Sequence, residues 1–269
     1  MLELHNGNFF GETNQRLDLD GITLTKTVYT HDYVDWHFHE NAYFTFLLHG
    51  GLVETDNKNT FRCGPGELLF HYWQEAHCNI KPPEFTQGFH VEISKSWFDR
   101  LQLSNHAFEG SFQVKDPAIV IGFYNMVREA SLYDTASNLA IESLLINALA
   151  RLTKIYDKPI DLKPIWVKKL KAILHDEPFE KHSLSALAAR LDIHPIHLSR
   201  DFKKHFHSSL GDYIRRIKIQ NSIVLLQDKT LNLTEIAFAC SFADQSHFLR
   251  CFKYYTGIKP SVYRKSILS

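Results

Sequence analysis

The 269-residue chain is 44% hydrophobic and 13% aromatic, ample for one or two packed cores. Thirty Lys/Arg against thirty Asp/Glu leave no formal charge, which excludes a uniformly basic nucleic-acid binder. The balance is uneven, however: from Ile160 onward 18 basic residues face 10 acidic ones, a net +8, while the part before it has 12 against 20, a net −8. Such an asymmetry points to a basic module joined to something else.

The first residues, MLELHNGNFFGETNQRLD, hold no basic stretch followed by an apolar run, and no segment approaches the ~18–20 apolar residues of a membrane span. Cys63, Cys78, Cys240 and Cys251 form no CxxC pair and no metal-finger spacing. A cytoplasmic chain with free, scattered thiols is expected.

Residues 22 to about 94 read as strands. ITLTKTVYT, AYFTFLLH, GELLFHYW and GFHVEIS are short and rich in β-branched or aromatic residues, with Gly50-Gly51, Gly64-Pro65-Gly66 and Pro82-Pro83 between them. Several short strands at this spacing predict a sandwich or small barrel. From Ser94 the period becomes helical. Asp116-Pro117 reads as an N-cap with proline at the first helical position, opening a helix to about Tyr133. A second helix from about Ala136 to Tyr156 carries an apolar stripe of Leu139, Ile141, Leu144, Leu145, Ala148, Leu149 and Leu152. The Pro-rich, charged stretch over 158–164 then reads as a linker between a first domain, 1–157, and a helical domain, 165–269.

The helical domain contains an internal echo. LSALAARLDIHPIHLSRDFKKHF begins at Leu184 and LTEIAFACSFADQSHFLRCFKYY at Leu233. Leu187 and Ala188 match Ile236 and Ala237 at an offset of 49; His197, Leu198, Arg200, Phe202 and Lys203 match His247, Phe248, Arg250, Phe252 and Lys253 at an offset of 50. Each copy reads as a short helix, a tight turn and a second helix. Leu198 and Phe202, like Phe248 and Phe252, are spaced i, i+4 on a buried face, and the opposite face is polar and basic. An ordinary helical hairpin would show the buried face; two copies with Arg on the free face favour helices that enter a major groove. Between the copies, residues 210–226 read as one helix, with Tyr213, Ile214, Ile217 and Leu225 facing the two small cores. A helix of about 16 residues is ~24 Å long, which allows the two reading helices to lie one DNA turn apart, ~34–36 Å.

On these residues the segment from about 165 to 265 resembles the AraC/XylS family of bacterial regulators. The resemblance is densest in TEIAFACSFADQSHFLRCFKYYTGIKPSVYR, with Phe242, Gln245, Ser246, Phe248, Phe252, Thr256, Gly257, Pro260 and Arg264 at the family's positions. The chain departs from the pattern at His194, where the family has a capping Ser, at His207 and Ser241, where it has glycines, and at Lys218 and Ser222 in the connecting helix. The resemblance implies two helix-turn-helix units, over about 184–206 and 233–255. Ile196, His197, Arg200, Lys203 and Lys204 in the first, and Asp244, Gln245, Ser246, His247, Arg250 and Lys253 in the second, are the expected DNA-binding residues. Arg suits guanine and Gln adenine, Asp244 is expected to cap its helix, and Arg215, Arg216 and Lys218 are expected on phosphates.

WHFHENAYFTFLLHGG followed by PGELLFHYWQEAH resembles the cupin-like sensor domain often attached to this module. In metal-binding cupins His37, His39 and His77 would hold the imidazole positions, but the usual carboxylate falls on Phe44, and Glu40 points to the opposite strand face; no metal and no cofactor are expected. Trp36, His37, His39, Tyr43, Tyr72, Trp73 and His77 are instead expected to line a small-molecule pocket, with a sugar among the candidate effectors. The helices over about 117–156 are expected to pair two copies into a homodimer. The fold class expected is therefore α+β in two domains, a cupin-like β-barrel or sandwich with a helical pair, then an all-α domain with two helix-turn-helix motifs joined by a long helix. The function expected is a sequence-specific, ligand-responsive transcription regulator and activator, acting on double-stranded DNA and not at a membrane. The alternative is a metal-dependent cupin-type enzyme with a helical appendage.

Overall fold

The computed structural model describes residues 2–83, 85–101, 110–156 and 164–268. The chain divides into two compact units, Met1–Leu144 and Leu145–Ser269. Residues 158–163 of the expected linker lie outside the described residues.

The first unit is built on two sheets. One runs β1 (Leu2–Leu4), β4 (Tyr33–His39), β9 (His77–Ile80), β6 (Leu52–Asp56) and β7 (Thr60–Cys63) in spatial order. The other runs β11 (Phe112–Val114), β8 (Leu68–His71), β5 (Ala42–His49), β10 (Gln87–Ile93), β3 (Ile22–Tyr29) and β2 (Gly11–Leu19). Among the described residues no strand pairing joins the sheets, so of the two expected arrangements the sandwich holds and the closed barrel does not. Three helices complete the unit's described part: α1 (Lys95–Arg100), α2 (Pro117–Leu132) and the start of α3 (Ser137–Tyr156). Asp116 caps α2 as its sequence predicts, accepting from Ala118 and Ile119, with Pro117 at the first position.

Strand alternation gives the six-stranded sheet two unlike faces. Phe44 opposite Phe70 and Val91, and Phe46 opposite Leu68 and Phe89, form an apolar face that α2 covers through Phe123, 4.9 Å from Phe44, and Tyr124, 4.6 Å from Phe46. The other face, turned to the five-stranded sheet, carries Thr23, Thr25, Thr27, Tyr43, Thr45, His71, His90 and Glu92, all buried. Inner faces of sandwiches are ordinarily apolar, and here only one end is, where Leu47, Leu52, Cys63 and Leu69 cluster. The polar remainder is a candidate site.

In the second unit the sequence echo becomes an echo of caps. Helices α5 (Leu184–Arg190) and α6 (Pro195–Phe206) form the first hairpin; α8 (Leu233–Ala239) and α9 (Gln245–Thr256) form the second. Ser183 and Asn232 cap the first helix of each, and His194 and Asp244 the second. Asp192 and Ser241 take left-handed backbone in the two turns, as do His207 and Gly257 at the two helix ends. Thus His207 and Ser241, at positions where glycine is expected, adopt the conformation for which glycine is favoured, at a cost of about 1 kcal/mol each. Helix α4 (Ile165–Asp176) packs its Val167, Leu170 and Leu174 into the first hairpin's core with Leu187, Leu198, Phe202 and Tyr213. Helix α7 (Leu210–Leu225) is 16 residues long; it gives Tyr213 and Ile217 to that core and buries Ile219, Ser222 and Ile223 further along. Helix α10 (Pro260–Leu268) supplies Tyr263, the counterpart of Tyr213, against Phe252 at 5.4 Å.

Arg264 ties this second core together, donating to the carbonyls of Leu226 at 3.1 Å and Leu231 at 2.8 Å. Two charge-assisted bonds to the end of α7 and the loop after it predict that Arg264→Ala lowers stability by about 1.5–3 kcal/mol. Urea unfolding checks this; a midpoint unchanged within error would show the contacts to be dispensable.

Candidate functional site

Two surfaces carry the chemistry expected of a site, and each lies within one unit. The first is the free face of α6 and α9, the second helix of each hairpin. On α6, Ile196 is 69% exposed, and His197, Arg200, Lys203 and Lys204 are exposed beside it. Leu198, Phe202 and Phe206 point the opposite way into the core. On α9, Ser246, Arg250 and Lys253 are exposed, Gln245 and His247 partly so, and Phe248, Phe252 and Thr256 are buried. The 3.6-residue period thus separates anchor from reader on both helices.

The two faces are not equivalent. Arg200 is held by Asp201, Nε to Oδ1 at 3.0 Å, and approaches His197 Nδ1 at 3.2 Å. Arg250 makes no hydrogen bond or ion pair among the described residues and borders a cleft with Asp212, Arg215, His247 and Tyr254. Asp244 accepts from the His247 backbone at 2.7 Å, so its carboxylate serves the cap. Gln245 accepts from the Thr234 hydroxyl at 3.2 Å, which orients its amide from α8.

Of the basic residues expected on phosphates, three are engaged within the unit. Lys218 donates to the Ser241 carbonyl at 2.6 Å and lies 5.6 Å from the Phe242 ring centroid, so it secures the turn of the second hairpin. Arg216 pairs with Asp212 at 2.8 Å, one helical turn back, and Arg215 donates to Tyr255, whose hydroxyl donates in turn to Asp212. Together these bonds fix α7 against α9. A basic residue one turn from an acid, or facing a carbonyl left free by a tight turn, finds a partner before any phosphate arrives.

The second surface is the polar interior of the sandwich. Phe9, Phe10, Tyr29, His37, His39, Tyr43, Thr45, Leu52, Glu54, His77, Asn79, Lys81 and His90 line it. Of the seven residues expected in a pocket, His37, His39, Tyr43 and His77 are here; Trp36, Tyr72 and Trp73 are not. Tyr72 and Trp73 pack edge to face at 5.0 Å, and Trp73 rests on Phe98 at 4.7 Å. Of the residues missed, Tyr29 and His90 come from strands read for their apolar content, whereas Glu54 on β6 and Lys81 just after β9 fall outside the strands read from sequence; alternating polar residues such as Glu54-x-Asp56 and His90-x-Glu92 were the available signal.

The imidazoles are held in defined states. His37 Nδ1 donates to the Asp35 carbonyl at 2.8 Å and His77 Nδ1 to that of Glu75 at 3.0 Å, which leaves each Nε2 as a lone pair turned inward. Tyr43 donates to His77 Nε2 at 3.0 Å. Burial pushes His37, His39, His71, His77 and His90 down, His77 and His90 to about 3, so all five are neutral at pH 7. Burial also raises Glu54 to about 8, against the pull of Lys81, and lowers Lys81 to about 8. The cavity has a volume of about 20 Å3. One water needs roughly 10–15 Å3, so the interior has room for a water or an ion. Three ring nitrogens, one each from His37, His39 and His77, lie within 4.8 Å of one another, and a donor set of that kind fits a cation.

A helix-turn-helix domain model matches residues 187–266. The Msm operon regulatory protein of Streptococcus mutans is 29% identical over 102 residues, 38% of this chain and 37% of that protein. The transcriptional activator AarP of Providencia stuartii is 43% identical over 70 residues, 26% of this chain and 52% of its own length. The transcriptional activator RhaR of Salmonella dublin is 22% identical over 253 residues, 88% of this chain and 89% of that one. The chain therefore spans about half or less of the first two relatives. Its second unit is a DNA-binding domain of the AraC type, with both hairpins in place. By that domain the chain is similar to regulators of the AraC/XylS family. No described helix is long and apolar enough to cross a membrane.

Proposed function

We propose that this chain is a sequence-specific transcription regulator that reads two successive major grooves through α6 and α9 and responds to a small effector in its sandwich interior. The observation that carries the reading is the duplicated hairpin with matched caps and an exposed basic helix face in each copy. Duplication alone serves any helical core; duplication with Arg200 and Arg250 both left on the free face serves a groove. The second hairpin dominates specificity, because Arg250 reaches a base without surrendering a partner, whereas Arg200 must leave Asp201.

The polar inner face, with five neutral imidazoles, two threonine-bearing strands and a buried lysine, supports a sensor role for the first unit. Effector and DNA then affect one another's affinity by the same factor. Pairing of two copies rests on less of α3 than its stripe suggests: Ile141, Leu145, Ala148, Leu149 and Leu152 are already buried within the chain. Leu132 and Leu139 of the first unit remain exposed on α2 and α3, and these are the side chains proposed to meet a second copy.

Selection of bound duplexes from a random pool tests the reading. The expected outcome is an enriched motif bound at least about 1,000-fold more tightly than scrambled DNA at physiological salt. Equal binding to every duplex would mean a non-specific architectural binder and overturn it.

A further inference from the structure

The five-stranded sheet places β6 beside β9, so that Asp56 faces His77 and Glu54 faces Asn79 across the ladder. From the other sheet, β8 brings His71 within 3.2 Å of Glu54, Nδ1 to Oε1. This pair is 1% and 4% exposed at the side chains, yet neither His71 ring nitrogen, nor Glu54 Oε1, has a hydrogen bond of acceptable geometry among the described residues. Burying a polar atom in that state is costly, more so for a charged group. Three such atoms on two facing side chains offer donor positions to a single cation.

We propose that Glu54, His71 and His77 bind one divalent transition-metal ion, a site separate from the three-histidine set because it adds a carboxylate and replaces His37 and His39. One ligand atom from each of the three lies within 4.8 Å of the others, and all three residues are buried. Two imidazoles and one carboxylate form a donor set that zinc, iron(II) and manganese accept, with positions left over for water. The His77 ring is already turned by its Nδ1–H bond to the Glu75 carbonyl, the kind of outer contact that fixes a ligating tautomer. Tyr43, stacked on His71 at 4.1 Å and bonded to His77 Nε2, is displaced from that nitrogen when the ion binds. Lys81 lines the same interior as the opposing charge, and the buried side chain of Asp56 belongs to the residue facing His77 across the ladder.

The inference concerns binding, and stands whether or not the ion is the regulator's signal. Its test is titration of the full chain, freed of metal by chelation, with cobalt(II), followed by visible absorption and calorimetry. One equivalent is expected to bind. Glu54→Gln and His71→Gln are each expected to weaken binding about 100-fold or more, beyond the 10–100-fold that loss of an outer contact causes. His37→Gln should shift it by no more than about threefold, since that residue is outside the set. No binding at millimolar cobalt, or loss with His37→Gln and retention with Glu54→Gln, overturns the proposal. X-ray absorption of the cobalt-loaded wild-type chain decides independently of variant folding: two imidazoles and a carboxylate support it, and three imidazoles contradict it.

Discussion

Phe252→Ala is expected to lower stability by about 3–5 kcal/mol, the usual cost of emptying a fully buried aromatic position. Phe252 is fully buried, between Phe248 at 5.7 Å and Tyr263 at 5.4 Å. Those rings come from α9 and α10, so the cavity opens between these two helices. The unit is small, and a loss of that size is a large part of the 5–15 kcal/mol typical of a whole domain. Urea unfolding measures the loss directly, and DNA affinity should fall with it because α9 loses its platform. A drop below about 1 kcal/mol would show that the helices collapse onto the gap, and that Phe252 is less central than its burial implies.

The second large effect is on recognition. Arg250→Ala is expected to weaken binding to the selected site about 10–100-fold while binding to unrelated DNA changes little, since one bidentate pair to a base contributes ~1–3 kcal/mol of discrimination. The preference should relax in one block of the motif and persist in the other, which α6 reads. Competition binding with single-base variants of the site resolves the two cases. An equal loss on every sequence would place Arg250 on a phosphate.

Much of this architecture was legible from local chemistry. Asp116-Pro117 announces the start of α2 because a capping carboxylate and a proline at the first position satisfy the same helix end. The 49- and 50-residue offsets announce the two hairpins because each must bury one face and cap both ends. Even the left-handed residues His207 and Ser241 were marked, as departures at positions of required geometry.

What stayed hidden depends on pairing between distant segments. Strands β1, β2 and β11 are short or polar, and only their neighbours in the sheets make them strands. His37, His39 and His77 stand out as a sequence pattern, whereas Glu54, His71 and His90 enter the interior through the β6–β9, β5–β8 and β5–β10 registers. Lys218 and Arg216 are basic in any reading of the sequence. That they are engaged inside the unit follows from the carbonyl of Ser241 and the carboxylate of Asp212 being within reach.

The central claim is that one chain reads two successive grooves with two unequal helices. Methylation interference at guanine N7 on the selected site tests it most directly, because N7 is exposed in the major groove. The account predicts two patches of interference on one face of the duplex, one helical turn apart, with Arg250→Ala erasing only one of them. A single patch, or two patches that both survive in Arg250→Ala, would contradict it.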